Sequence, residues 1–81
     1  MSAIRAGVVQ AITECFGCDP AEIADDTVAA DIEGWDSLGH TVLMMRIERL
    51  LGFKIPEIVA ANAENVGDLV AKLEQLRPPA A

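Results

Sequence analysis

Asp36-Ser37-Leu38-Gly39-His40-Thr41-Val42-Leu43-Met44-Met45-Arg46-Ile47-Glu48-Arg49-Leu50-Leu51-Gly52 is the stretch whose reading decides the fold. Asp36 is a helix N-cap by type and Gly52 a C-terminal stop, and the apolar residues between them recur at helical spacing. Leu43, Ile47 and Leu50 or Leu51 form one stripe, the side expected to face a core. Leu38, Val42 and Met45 form a second stripe at i, i+4 and i+7, ending at Arg49. Two apolar sides in so small a chain allow two readings. The second stripe is a partner site facing solvent, or it widens the core face through the flexible side chains of Met44 and Met45. Ser37 lies in the first turn, at the positive end of the helix dipole and beside N–H groups with no intrahelical acceptor. That place suits a phosphate, bound or covalently attached. A solvated serine at a helix start is the plainer alternative.

Toward the N-terminus, Ile4, Val8, Ile12 and Phe16 recur every four residues, with Val9 and Cys15 widening the stripe. They predict a first helix over 2–16, capped by Ser2 and stopped at Gly17. Residues 18–36 are too long for a plain connector. Residues 20–23 can form a short helical turn, and Ile23, Val28 and Ile32 are spaced to pin the loop to a core. Toward the C-terminus, Pro56 disfavours helix at Ile55 and starts a short helix over 57–61, with Ile58 and Val59 capping the core. Asn65 caps a last helix whose apolar face is Val66, Leu69, Val70, Leu73 and Leu76, with Asp68 in its first turn and Arg77 at its end. The expected fold is all-α: a four-helix bundle of three longer helices and one short one, with a long loop between the first two. The domain spans residues 1–77 and 78–81 form a flexible tail.

Composition narrows the function. The 81 residues are 52% hydrophobic but only 4% aromatic, which suits an aliphatic helical core. A chain this short buries only about 60% of its unfolded surface, leaving little room for an enclosed active site. Net charge is −7, and no Lys or Arg occurs from Ala6 to Met45. Glu14, Asp19, Glu22, Asp25, Asp26, Asp31, Glu33 and Asp36 all fall in that span. Such a field repels nucleic acid and anionic membrane and attracts basic protein surfaces. There is no transmembrane run and no basic start followed by an apolar core, so the expectation is a cytoplasmic protein, acting as a monomer. From the initial Met and short tails, a discrete protein is the expectation.

The reactive side chains do not assemble into a catalytic set. Ser37, His40 and Asp36 share one helical turn, which does not let an Asp orient a His that reaches the Ser. No Gly-x-Ser-x-Gly elbow, phosphate-binding loop or dinucleotide fingerprint is present. Cys15-Phe16-Gly17-Cys18 lacks the second ligand pair a zinc site needs and the βαβ setting of a thioredoxin-like site. Cys15 is read as a small hydrophobe on the first helix and Cys18 as part of the following turn. His40 is read as a solvated or hydrogen-bonded residue. Neither enzyme nor metal protein is expected.

Asp36-Ser37-Leu38 resembles the phosphopantetheine attachment motif of acyl carrier proteins. The likeness covers residues 2–76. Residues 2–17 match the family's first helix and 23–36 its acidic loop. Leu43, Ile47 and Leu51 match its second-helix core positions, Phe53-Lys54-Ile55-Pro56 the segment that follows, and Val66-Gly67-Asp68-Leu69-Val70 the start of the last helix. The resemblance implies that Ser37, flanked by Asp36 and Leu38, is esterified by 4′-phosphopantetheine. A phosphopantetheinyl transferase would add it from coenzyme A, and its thiol would carry acyl groups as thioesters to loading and processing enzymes. It also implies that Leu38, Val42, Met45 and Arg49 form the partner-binding face. Gly39 departs from the family, in which many members carry Asp there. Val42, Arg46 and Arg49 make the helix less acidic than in the fatty-acid-synthesis carriers. Trp35 resembles the stand-alone carriers of polyketide and other specialised pathways, so such a pathway is expected. A fatty-acid or peptidyl/aminoacyl carrier is the alternative within the class. An unmodified interaction module and a thiol-redox protein using Cys15 and Cys18 are the alternatives outside it.

Overall fold

A computed structural model describes residues 3–76. Four helices run in order: α1 (Ala3–Phe16), α2 (Ser37–Leu51), α3 (Glu57–Asn62) and α4 (Val66–Leu76), with 3-10 turns at Pro20–Glu22 and Ala29–Asp31. No strand occurs among the described residues. The all-helical expectation therefore holds, with the long loop between α1 and α2. The cap expected at Ser2, the end of the last helix at Arg77 and the tail over 78–81 lie outside the described residues.

The helices begin and end where their chemistry dictates. Asp36 accepts the Gly39 N–H at 2.8 Å and so caps α2, while Gly52, at φ 81°, closes it by donating to the Glu48 carbonyl. Only a residue tolerant of left-handed backbone makes that closure without strain. Asn65 accepts the Asp68 N–H at 2.7 Å, and Asp68 reaches back to the Glu64 N–H at 2.9 Å. The first bond satisfies a donor that the first turn of α4 leaves over, and the second ties the residue before the cap to that turn.

One aliphatic core fills the space between the helices. Ile4, Val8, Ala11 and Ile12 of α1 meet Leu43, Met44 and Ile47 of α2 and Val66, Leu69, Val70 and Leu73 of α4. Helix α1 comes close to the end of α2 at Gly7, where a Cβ would lie 2.7 Å from Leu51 Cδ2. Burying a Leu or Ile side chain contributes roughly 1.5–3 kcal/mol. The core is thus where the α1–α2–α4 arrangement is stabilised.

The long loop is anchored, though not by all the expected residues. Ile23 and Ile32 are buried, but Val28 is only half-buried and Thr27 takes the inward place. The reason is polar. The Thr27 hydroxyl accepts the Ala24 N–H at 2.8 Å, and the Thr27 and Asp25 carbonyls accept the Val66 and Gly67 N–H groups at 2.9 and 2.8 Å. The loop thereby supplies acceptors to the start of α4. Arg5 pairs with Asp25 and ties the same loop to α1.

Helix α3 differs in one respect from expectation. Val59 packs partly on the core, but Ile58 is 70% exposed and caps nothing. Pro56 starts the helix such that residue 58 falls on its outer side, and α3 contains no fully buried residue.

Asp68 gives the fold an acid-sensitive point. The Lys72 ammonium, 2.7 Å away, holds its carboxyl below the usual carboxylate range, helped by the Glu64 N–H. A lowered folded pKa means stability that is fully present above the ordinary value and lost as pH falls through the folded one. The slope of unfolding free energy against pH below pH ~4 should therefore be shallower in Asp68→Asn than in the parent, as read by urea titrations at stepped pH.

Candidate functional site: the start of helix α2

Ser37 is the first residue of α2 and is exposed. Its position follows from the chain on either side. The backbone turns at Gly34, φ 90°, and Trp35 donates its N–H to the Ile32 carbonyl at 3.3 Å. Asp36 then caps the helix, and Ser37 projects from its first turn. The Ser37 carbonyl accepts from Thr41 Oγ1 at 3.2 Å.

Gly39, which in the sequence marks only a departure from the family's Asp, has a role in packing. A Cβ at this position would sit 2.3 Å from the Gly34 carbonyl oxygen and 3.0 Å from Phe16 Cε1. The loop backbone lies directly against the first turn of α2, and only a residue without a side chain permits it.

His40 is hydrogen-bonded on both ring nitrogens. Trp35 Nε1–H donates to Nδ1 at 3.0 Å, which places the ring proton on Nε2, where it donates to the Ala60 carbonyl at 2.9 Å. The Trp35 ring lies nearly parallel to Phe16, centroids 5.5 Å apart, and to His40, 6.2 Å apart. These contacts join the end of α1, the loop, α2 and α3. His40→Leu strands the Trp35 N–H and the Ala60 carbonyl, at a cost of about 1–3 kcal/mol. Because α3 is otherwise weakly anchored, the expected signs are a lower urea midpoint and faster amide exchange across residues 57–62.

The second stripe faces solvent. Leu38 is 74%, Met45 64% and Val42 47% exposed, with Arg49 exposed at its end, whereas Met44 joins the core. The wider-core reading of Met45 is thus excluded. Arg46 pairs with Glu14 of α1 at 3.2 Å. Cys15 and Cys18 are free thiols packed partly against the core, and Cys18 Sγ lies 4.0 Å from the Ile12 carbonyl oxygen. Among the described residues no cluster of three His, Cys, Asp or Glu side chains could hold a metal ion.

Comparison with known proteins agrees with this geometry. Residues 6–73 match the family model described as the phosphopantetheine attachment site. The chain is 37% identical to a meromycolate extension acyl carrier protein of Mycobacterium tuberculosis, over 96% of this chain and 70% of that protein. It is 35% identical to an acyl carrier protein of Amoebophilus asiaticus, over 93% of this chain and 94% of that one. A Bradyrhizobium acyl carrier protein is 33% identical, over 93% and 95%. No solved structure matches. The chain belongs to the acyl carrier protein family, and its prosthetic group is 4′-phosphopantetheine. The start of α2 fits that group: an exposed hydroxyl at a helix N-terminus, with a glycine two residues on.

Proposed function

We propose that Ser37 is the residue esterified by phosphopantetheine and that the protein is a non-catalytic carrier of acyl groups in a specialised biosynthetic pathway. One observation carries this: in the motif Asp36-Ser37-Leu38, the serine is an exposed hydroxyl in the first turn of a helix capped by its neighbour. When bound, the group supplies a thiol on a long flexible arm. The chain's own residues do the rest. Asp36 fixes the helix start, the dipole favours the phosphodiester, and the acidic loop draws basic enzyme surfaces toward Ser37. Trp35 and a second helix that carries Arg46 and Arg49 against the single Glu48 favour a dedicated pathway over general fatty-acid synthesis, and the mycobacterial relatives named for meromycolate extension are in keeping with that. The reading includes a cytoplasmic location and a phosphopantetheinyl transferase as the modifying enzyme; no described helix is long and apolar enough to cross a membrane.

The test is incubation with coenzyme A and a broad-specificity transferase, followed by intact mass measurement. A gain of one phosphopantetheine supports the reading, and no gain with several transferases overturns it. The stripe Leu38, Val42 and Met45, ending at Arg49, is the proposed docking face. Val42→Glu or Met45→Glu places a charge on exposed apolar surface, so the fold should hold within about 0.5 kcal/mol. Acyl transfer by the partner enzymes should meanwhile fall at least tenfold in kcat/KM, the equivalent of about 1.4 kcal/mol.

A further inference from the structure

We propose that His40 is a pH-sensitive latch on the segment that leads into Ser37: its neutral ring holds Trp35, and a protonated ring releases it. The two ring nitrogens have different partners. Nδ1 accepts the Trp35 Nε1–H at 3.0 Å, and Nε2–H donates to the Ala60 carbonyl at 2.9 Å. An indole nitrogen only donates and a backbone carbonyl only accepts, so these roles cannot be exchanged. A proton taken up from water therefore has Nδ1 as its one place on the ring. The imidazolium then donates at both nitrogens, and at Nδ1 it meets a second N–H with no lone pair between them. The bond to Ala60 survives and gains charge assistance, so it is Trp35 that is displaced.

The surroundings set the direction of the response. The Trp35 and His40 rings are 15° from parallel with centroids 6.2 Å apart, and the bond between their nitrogens places them edge to edge. The charged ring gains no cation–π contact from that arrangement, because such a contact needs a ring face. Glu64 lines the same cavity of about 70 Å³, together with Asn65 and Leu69 and with no Lys or Arg. Asp36 lies one turn back on α2, where its carbonyl accepts the His40 backbone N–H at 2.7 Å. Both carboxylates attract a positive ring, so the open form holds its charge beside counter-charges. Helix α1 reaches this cluster through Phe16, which is uncharged. A proton that the open arrangement binds and the closed one excludes shifts the equilibrium toward the open one as pH falls. With its hydrogen bond gone, the indole keeps only apolar packing, against Phe16 and the core. The turn at Gly34 then loosens in front of Asp36 and Ser37.

The chain contains one histidine and one tryptophan, so each can be followed without interference. NMR titration of the full chain between about pH 8 and 5, the range in which an imidazole changes charge, reads the His40 ring nitrogens, the Trp35 indole N–H and the amides of 57–62. The expected result is one transition shared by His40 and the indole N–H, with acrylamide quenching of Trp35 fluorescence rising severalfold across it. The amides of 57–62 should keep their protection, because the bond to Ala60 persists. His40→Gln, whose amide accepts and donates but does not titrate in this range, should flatten the quenching profile; if that variant does not fold, the shared transition in the parent still decides. A His40 that takes up its proton while the indole signal is unchanged overturns the latch. So does an indole transition that appears only with the carboxylates, near pH ~4, or an equal loosening of 57–62, which marks general unfolding. Failure of His40 to titrate within the range overturns it as well.

Discussion

Ser37→Ala is expected to abolish phosphopantetheine incorporation completely while leaving the fold unchanged. The two halves of that expectation have separate causes. Function is all-or-none because a single hydroxyl is the proposed nucleophile, and neither Thr41 nor Ser2 lies in the Asp-Ser-Leu setting. Stability is preserved because Ser37 is exposed and its hydrogen bond is made by its carbonyl, which Ala retains. Asp36 still caps Gly39, and surface substitutions away from caps and core stay within about 0.5 kcal/mol. Circular dichroism and urea unfolding should therefore superpose on the parent, while the mass gain with coenzyme A and transferase vanishes. An unmodified interaction module predicts the reverse pattern, with Ser37→Ala harmless in every functional assay.

The second large effect is at Gly39, where helix propensity and packing make opposite predictions. Propensity alone says that Gly39→Ala gains roughly 1 kcal/mol in a helix. The structure says that the new Cβ meets the Gly34 carbonyl oxygen at 2.3 Å, a separation that backbone atoms must move to relieve. Overpacking of this kind costs about 1–3 kcal/mol, and the displaced segment carries Trp35 with its hydrogen bond to His40 and its stack on Phe16. Once the propensity gain is deducted, the packing term leaves a net loss of up to about 2 kcal/mol. For a domain of this size each kcal/mol lowers the melting temperature by roughly 4–8 °C. Gly39→Asp, which restores a residue common in the family, should behave no better. A gain in melting temperature for Gly39→Ala would show that propensity governs the site. Changes in Trp35 fluorescence should accompany the loss, because the ring moves with the loop.

Helix α2 shows why much of this was legible in the sequence. Its cap, its stop and its two stripes all follow from the 3.6-residue period and from residue types that act locally, and the observed ends match. The same holds for Asn65 and the apolar face of α4. What was not legible depended on approach between distant segments. Thr27 displaced Val28 inward because its hydroxyl and carbonyl serve Ala24 and Val66, partners 3 and 39 residues away in the chain. Gly39 stood out only as a departure from the family's Asp, because nothing local marks the arrival of the Gly34 carbonyl. His40 is hydrogen-bonded, one of the two states expected for it, but its partners were not legible because Ala60 lies 20 residues on. Ile58 looked like core because its hydrophobicity is visible in sequence, whereas the angle at which Pro56 sets α3 is not. Whether the second stripe faced a core or solvent was also undecidable from period alone, since both readings need the same spacing.

The central claim, that Ser37 bears the prosthetic arm, is tested most directly by the intact mass of the protein purified from its native host, with fragmentation to locate any added group. The account predicts a mass above that of the polypeptide by one phosphopantetheine, with or without an acyl load, assigned to Ser37. A polypeptide mass alone, from cells whose other carriers are modified, or a modification placed on another residue, would contradict it.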